Sequence, residues 1–125
     1  MVRNKQKENE WSQAFSAVLR RQGAELYPCI ASQWAPAGWP DLHVVHRMWT
    51  GLIERKASHT ALGPHQLVRM REINLRRPLY SVIARHIERE TLVISSVSAE
   101  GTVYILFECQ YDTFLRSMRD YVAAN

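Results

Sequence analysis

Apolar residues recur at helical spacing between Asn4 and Gln22, at Trp11, Ala14, Phe15, Val18 and Leu19, and Gly23 supplies a stop signal. The first segment is therefore predicted to be a helix. Ala24 to Ile30 is a short apolar run containing Pro28, which suits an edge strand or an interrupted one. Ser32 to Pro40, rich in Pro, Gly and Trp, is predicted as a loop. Asp41 to His46 and Gly51 to Ala57 read as two strands joined by a short turn near Arg47 to Thr50, a hairpin.

Leu62-Gly63-Pro64 carries a helix start, with Gly as a tolerable N-cap and Pro at the first helical position. The helix it opens runs to Arg77 and places Gln66, Leu67, Met70, Ile73 and Asn74 on one face. Leu79 to His86 and Thr91 to Val97 are apolar, β-branched runs separated by the charged Ile87-Glu88-Arg89-Glu90, and Ala99-Glu100-Gly101 turns the chain into Thr102 to Phe107. A last helix is predicted from Asp112 to Ala124, capped by Asp112, with Phe114, Leu115, Met118, Tyr121 and Val122 facing the core. This order of elements predicts a mixed sheet with helices packed on it.

The chain has 125 residues, of which 46% are hydrophobic, so one domain spanning 1–125 is expected, with a core that needs no disulfide or structural metal. No apolar run reaches the roughly 18 residues of a spanning helix, and no apolar signal core follows the polar N-terminus. A soluble protein of a reducing, cytoplasmic compartment is expected, with no membrane partner. Net charge is +4, carried by thirteen Arg against three Lys. An arginine-rich basic chain favours anionic partners, nucleic acid first among them, because the guanidinium fork matches phosphate.

Candidate chemistry concentrates where Gly38-Trp39-Pro40-Asp41 delivers a carboxylate at a strand start and Glu54-Arg55-Lys56 follows on the next strand. Side chains alternate along a strand, so Glu54 and Lys56 share one face while Arg55 takes the other, and pairing with the Asp41 strand can put both acids beside one ammonium. Two carboxylates suit Mg²⁺, which takes hard oxygen ligands and keeps several waters, and a metal with a lysine can drive phosphodiester hydrolysis. Taken singly, a Pro-Asp turn or a Glu-x-Lys strand is an ordinary surface feature; their joint occurrence across a hairpin is what points to a site. Histidine and cysteine spacing does not support zinc, and no Gly-rich phosphate loop or nucleophile elbow is present, so no nucleotide cofactor is expected.

Together these residues resemble the PD-(D/E)XK nuclease superfamily, and within it the virus-type replication-repair nucleases (VRR-NUC), over about Glu8 to Arg85. The motifs that carry the resemblance are Glu8, Gly38-Trp39-Pro40-Asp41, Glu54-Arg55-Lys56 and Leu62-Gly63-Pro64-His65-Gln66. The resemblance implies a restriction-endonuclease-like α/β (α+β) fold, a mixed β-sheet flanked by helices, with 87–125 as a strand-strand-helix extension. It implies Asp41 and Glu54 as ligands of Mg²⁺, for which Mn²⁺ can substitute, with the Arg55 carbonyl as a third ligand and Lys56 as the catalytic lysine. Glu8, with Glu10 as the alternative, becomes a further acid acting on the metal directly or through water. Gln66 is implied to hydrogen-bond Lys56, the water or the scissile phosphate.

Position 55 is usually apolar in relatives, so Arg55 must snorkel, pair with an acid such as Glu72, or face solvent. Lys5, Lys7, Arg20, Arg21, Arg69, Arg71, Arg76 and Arg77 are candidate phosphate contacts that imply salt-sensitive binding, and Trp34 and Trp39 bracket the loop before Asp41. The resulting expectation is a metal-dependent DNA endonuclease, structure-specific for Holliday junctions or other branched DNA in replication, recombination or repair. It is expected to work as a homodimer through its C-terminal elements, in the host cytoplasm if phage-encoded. The alternatives are a non-catalytic DNA-binding module that retains the fold and a restriction-like or exonucleolytic DNase.

Overall fold

Period-2 stretches in the middle of the chain form strands and the flanking period-3.6 stretches form helices, in a computed structural model that describes the backbone of residues 2–29 and 38–125 and side chains from Glu10 onward. Three helices, α1 (Val2–Arg21), α2 (Pro64–Arg76) and α3 (Phe114–Ala124), pack on a mixed sheet of six strands. The strands are β1 (Glu25–Pro28), β2 (Leu42–Val45), β3 (Gly51–Ala57), β4 (Ser81–Glu88), β5 (Thr91–Val97) and β6 (Val103–Gln110). Their spatial order is their chain order, β1 to β6. Among the described residues only β3 and β4 run parallel, and α2 is the crossover between them, as a parallel pair requires; every other described neighbour is antiparallel.

Alternation along the strands sorts the core into two layers. Leu42, Val44, Ile53, Val82, Ala84, Leu92 and Ile94 face α1 and α3, where Phe15, Leu19, Phe114, Leu115 and Met118 fill the larger core. Ile83 and Val97 face the other way, onto Met70 of α2, with Leu62 and Leu67 beside them. Burying the smaller face leaves polar groups to satisfy, and Asn74 does most of this. Its amide donates to the Ser81 and Val97 carbonyls and to Ser96 Oγ, and its carbonyl accepts the Ser81 N–H at 2.9 Å. One side chain thus stitches α2 to β4 and β5.

Several expectations are corrected. Ala14, one of the apolar residues at helical spacing in α1, is exposed. Asp112 is not the cap of the last helix: Tyr111–Thr113 form a 3₁₀ turn, Thr113 occupies the cap position, and Tyr111 rather than the aspartate is what that turn buries. Val122 is exposed at 39%, so the core-facing stripe of α3 is the narrower one made by Phe114, Leu115 and Met118. The predicted strand from Leu79 begins at Ser81 and continues to Glu88, because Leu79 adopts a left-handed turn conformation that no strand accommodates. Ile30 and most of the predicted loop, Trp34 included, lie outside the described residues. Among the described residues no helix is long and apolar enough to cross a membrane.

Candidate functional site

Leu42 pairs with Ile53 in the β2–β3 register, so one step further the register sets Asp41 opposite Glu54. Directly opposed residues of an antiparallel pair project to the same side, and Glu54 and Lys56, two apart on β3, share that side. The turn before Asp41 is pinned from α2. Gly38 has φ +81°, and a Cβ there would sit 2.2 Å from the His65 carbonyl oxygen, so only glycine lets this loop touch the first turn of α2. On its other side, Asp41 offers its carbonyl to the Cys29 N–H at 2.9 Å, beyond the last residue of β1. Asp41 is therefore held between two strands and a helix start.

Glu54 is buried, at 6% exposure. Gln66, in the first turn of α2, donates from Nε2 to Glu54 Oε1 at 2.8 Å, while its own Oε1 accepts the Gly63 N–H at 2.8 Å. Gln66 therefore does not hydrogen-bond Lys56, as the resemblance allowed; both ends of its amide are engaged, one in capping α2 and one in orienting the acid. Glu54 Oε2 is also buried and has no hydrogen-bond partner among the described residues. Burial, reinforced by the charge of Asp41, pushes the Glu54 carboxyl up to about 7, against the pull of Lys56, Arg55 and the Asp41 backbone amide. Burial also raises the Asp41 carboxyl, opposed by Arg55 and then by Lys56.

Arg55 turns to the opposite face of β3, towards α1, yet reaches Asp41 around the strand end. Its Nε donates to Asp41 Oδ1 at 3.1 Å, its backbone N–H to Oδ2 at 3.4 Å, and its Nη1 to Ser16 Oγ of α1 at 3.2 Å. The acid that pairs with Arg55 is thus Asp41 and not Glu72, which pairs instead with Arg69 at 3.1 Å. Nothing in the local pattern marks Ser16, because a serine on a helix flank is commonplace. Arg85 was missed as well. It lies opposite Lys56 in the β3–β4 register and donates to the carbonyls of Ala57 and Thr60, tying down the segment between β3 and α2. A lone arginine directly after the run Val82-Ile83-Ala84, within one predicted strand, was the available signal.

The other candidates divide. Arg69, Arg76 and Arg77 line a groove beside the acid pair, on the α2 side of β2 and β3. Arg71 points elsewhere and donates to the Ala99 carbonyl. Arg20 and Arg21 end α1, where Gln22 meets His46; His46 follows β2 at the end remote from Asp41, roughly 15 Å away at strand rise. The structure does not gather them with the acids. The side chains of Lys5, Lys7 and Glu8 lie outside the described residues; Glu10 is exposed on α1 and lines a separate cleft with Trp11, which stacks on His86 at 5.3 Å.

Among the described residues no group of three or more His, Cys, Asp or Glu gathers into a metal cage. Mg²⁺ does not require one, since one or two carboxylates with water and phosphate oxygens suffice. The orphaned Glu54 Oε2, buried on a side chain near enough to Asp41 to feel its charge, is a hard oxygen donor of the kind a small cation takes. No protein-family model, curated protein or solved structure matches this chain.

Proposed function

We propose that the chain is a Mg²⁺-dependent endonuclease hydrolysing DNA phosphodiester bonds, by preference at Holliday junctions or other branched DNA, in the manner of the VRR-NUC nucleases its motifs resemble. The single observation that carries this reading is the buried Oε2 of Glu54, without a hydrogen-bond partner among the described residues, on a residue set opposite Asp41 with Lys56 on the same face. A carboxylate kept ionised in that position is costly unless a cation completes it. In this reading Asp41, Glu54 and the Arg55 carbonyl hold the ion, with Glu8 as the further acid. A divalent ion held there supplies Lewis-acid polarisation of the phosphate and acidification of water.

The chain's own residues do the rest. Lys56, two residues from Glu54 on the same face, stabilises charge developing on the phosphate and orients the attacking water. Gln66 is a positioning residue that fixes the Glu54 carboxylate through Oε1, leaving Oε2 free. Arg55 and Ser16 orient Asp41 from the α1 side. Arg69, Arg76 and Arg77 supply sequence-independent phosphate contacts. Both cysteines are free, as suits a reducing cytoplasm.

A homodimer belongs to the same proposal. β6 is a sheet edge that exposes Val103, Tyr104 and, at 71%, Ile105, a strand able to pair with a second copy.

The Asp41–Arg55 ion pair favours a second reading, a DNA-binding module in which arginine has taken over the cation's role. One experiment separates the two: incubation of duplex, single-stranded, flapped and four-way DNA with the protein, in Mg²⁺ and in chelator. Cleavage in Mg²⁺ that is lost in chelator and in Glu54→Gln supports the nuclease. Salt-sensitive binding without cleavage of any substrate overturns it.

A further inference from the structure

Next to the acid pair lies a groove of about 430 Å³, within the range of clefts that hold small ligands, lined by Trp39, His43 and Tyr80 together with Arg69, Arg76 and Arg77. Glu72 is the one acid in its wall and is already engaged by Arg69, so the groove carries net positive charge and an aromatic surface. Such a lining is complementary to a flat, uncharged ring attached to an anion.

The rings are fixed by one another. His43 Nε2 and the Tyr80 hydroxyl are hydrogen-bonded at 3.1 Å, and the Arg77 guanidinium lies over the Tyr80 ring at 4.8 Å. Tyr27 leans on His43 from β1, at 6.2 Å between ring centres. Trp39 meets the Cys29 side chain and is 37% exposed. Arg69 is split in its engagement: Nη1 reaches Glu72, while Nε is buried with no hydrogen-bond partner among the described residues.

Trp39 stands two residues before Asp41 and His43 two residues after it. Leu52 of the groove precedes Glu54 by two on the same face of β3, about 7 Å along the strand. Cys29, also in the groove wall, lies close enough to feel the charges of Asp41 and Glu54. A strand whose phosphate sits at the acids therefore has its neighbouring nucleotide at the groove.

The geometry points to this groove as a subsite for one unpaired nucleobase and its phosphate, the base against Trp39 and the phosphate on Arg69, Arg76 and Arg77. This rests on the nuclease reading of the acid pair for its biological meaning. It deepens that reading, because a base in a duplex has both faces covered and cannot enter, whereas a base at a fork, flap or overhang can. The substrate class that follows, within the branched DNA of that reading, is forks and flaps with unpaired nucleotides directly beside the cleaved bond, rather than the fully paired Holliday junction.

Binding is tested on the full chain carrying Glu54→Gln, in chelator, so that cleavage plays no part. The probes are a blunt duplex and the same duplex with a single-stranded overhang of about four nucleotides, followed by fluorescence anisotropy. We expect the overhang duplex to bind about tenfold more tightly than the blunt one, from the stacking of one base on an aromatic ring. Adding Trp39→Ala should reduce that preference to about twofold or less with blunt-duplex affinity unchanged, and Trp39→Phe should restore it, since a phenyl ring still stacks. Arg76→Gln should weaken overhang binding and lower its salt dependence. Equal affinity for the two probes, or a preference that survives Trp39→Ala in a variant whose thermal melt matches its parent, overturns the subsite. Preference without Mg²⁺-dependent cleavage in the unmodified chain leaves the subsite standing and removes the nuclease reading; cleavage without preference does the reverse.

Discussion

Replacing Glu54 by glutamine isolates the cost of keeping a carboxylate ionised at a buried position. The side chain keeps its shape, and its carbonyl can still accept from Gln66 Nε2. In the folded, metal-free protein the Glu54 carboxyl lies at about 7, against an ordinary value of 4.5. The folded state therefore holds a proton that the unfolded chain has already released. Stability from this group is fully present below pH of about 4.5, declines as pH rises, and is lost above about 7. At 1.36 kcal/mol for each tenfold change in proton affinity, the ionised acid costs about 3 kcal/mol at pH 8, an order-of-magnitude figure.

Glutamine carries no such penalty, so Glu54→Gln in chelator should be more stable than the parent by up to that amount at pH 8. With an unfolding entropy of about 2.1 cal/mol/K per residue, this is a melting temperature higher by roughly 10 °C. The two proteins should converge as pH falls towards 4.5. Differential scanning calorimetry across pH 4.5 to 8 reads both quantities. Mg²⁺ at about 100 times its dissociation constant should then recover about 2.7 kcal/mol at pH 8 in the parent and none in the variant. A variant that melts at or below the parent at pH 8 in chelator refutes the reasoning, since it would mean that Glu54 is ionised there without cost and needs no cation.

Further expectations follow from the same geometry. Asp41→Ala and Lys56→Ala should each lower Mg²⁺-dependent cleavage by about 100-fold or more, with salt-sensitive DNA binding largely retained in gel-shift titrations; full activity in either assigns the chemistry elsewhere. Gly38→Ala forces a Cβ against the His65 carbonyl and a non-glycine residue to φ +81°, and should cost about 1–3 kcal/mol in urea denaturation, with cleavage falling as the Asp41 turn is displaced. Asn74→Ala leaves the Ser81 N–H without its side-chain acceptor and should cost roughly 2–4 kcal/mol by the same measurement, with no change in Mg²⁺ affinity. Ile105→Lys should convert a dimer to a monomer in sedimentation velocity at micromolar concentration, and a parent that already sediments as a monomer removes the dimer proposal.

Local pattern alone was enough to mark out the elements. Helical spacing of Trp11, Phe15 and Leu19, the Gly63-Pro64 start of α2, and the strand-like runs at 41–46, 51–57, 79–86 and 91–97 all announce their structure, because period and capping are properties of neighbours in sequence. The shared face of Glu54 and Lys56, and the hairpin that brings Asp41 near them, are legible for the same reason. Boundaries were not, where a backbone conformation intervened, as at Leu79, or where a 3₁₀ turn displaced the cap from Asp112.

Tertiary structure alone decided what each acid meets. That Arg55 crosses to Asp41 and Ser16, that Gln66 takes one oxygen of Glu54 and leaves the other bare, and that Arg69 and Arg76 of α2 and Arg77 just past its end share a groove with Trp39, His43 and Tyr80 are contacts between segments far apart in the chain. Sequence period fixes the direction in which a side chain leaves its own element. Packing of the elements fixes what lies in that direction, and with it the burial that makes the Glu54 carboxylate costly to ionise.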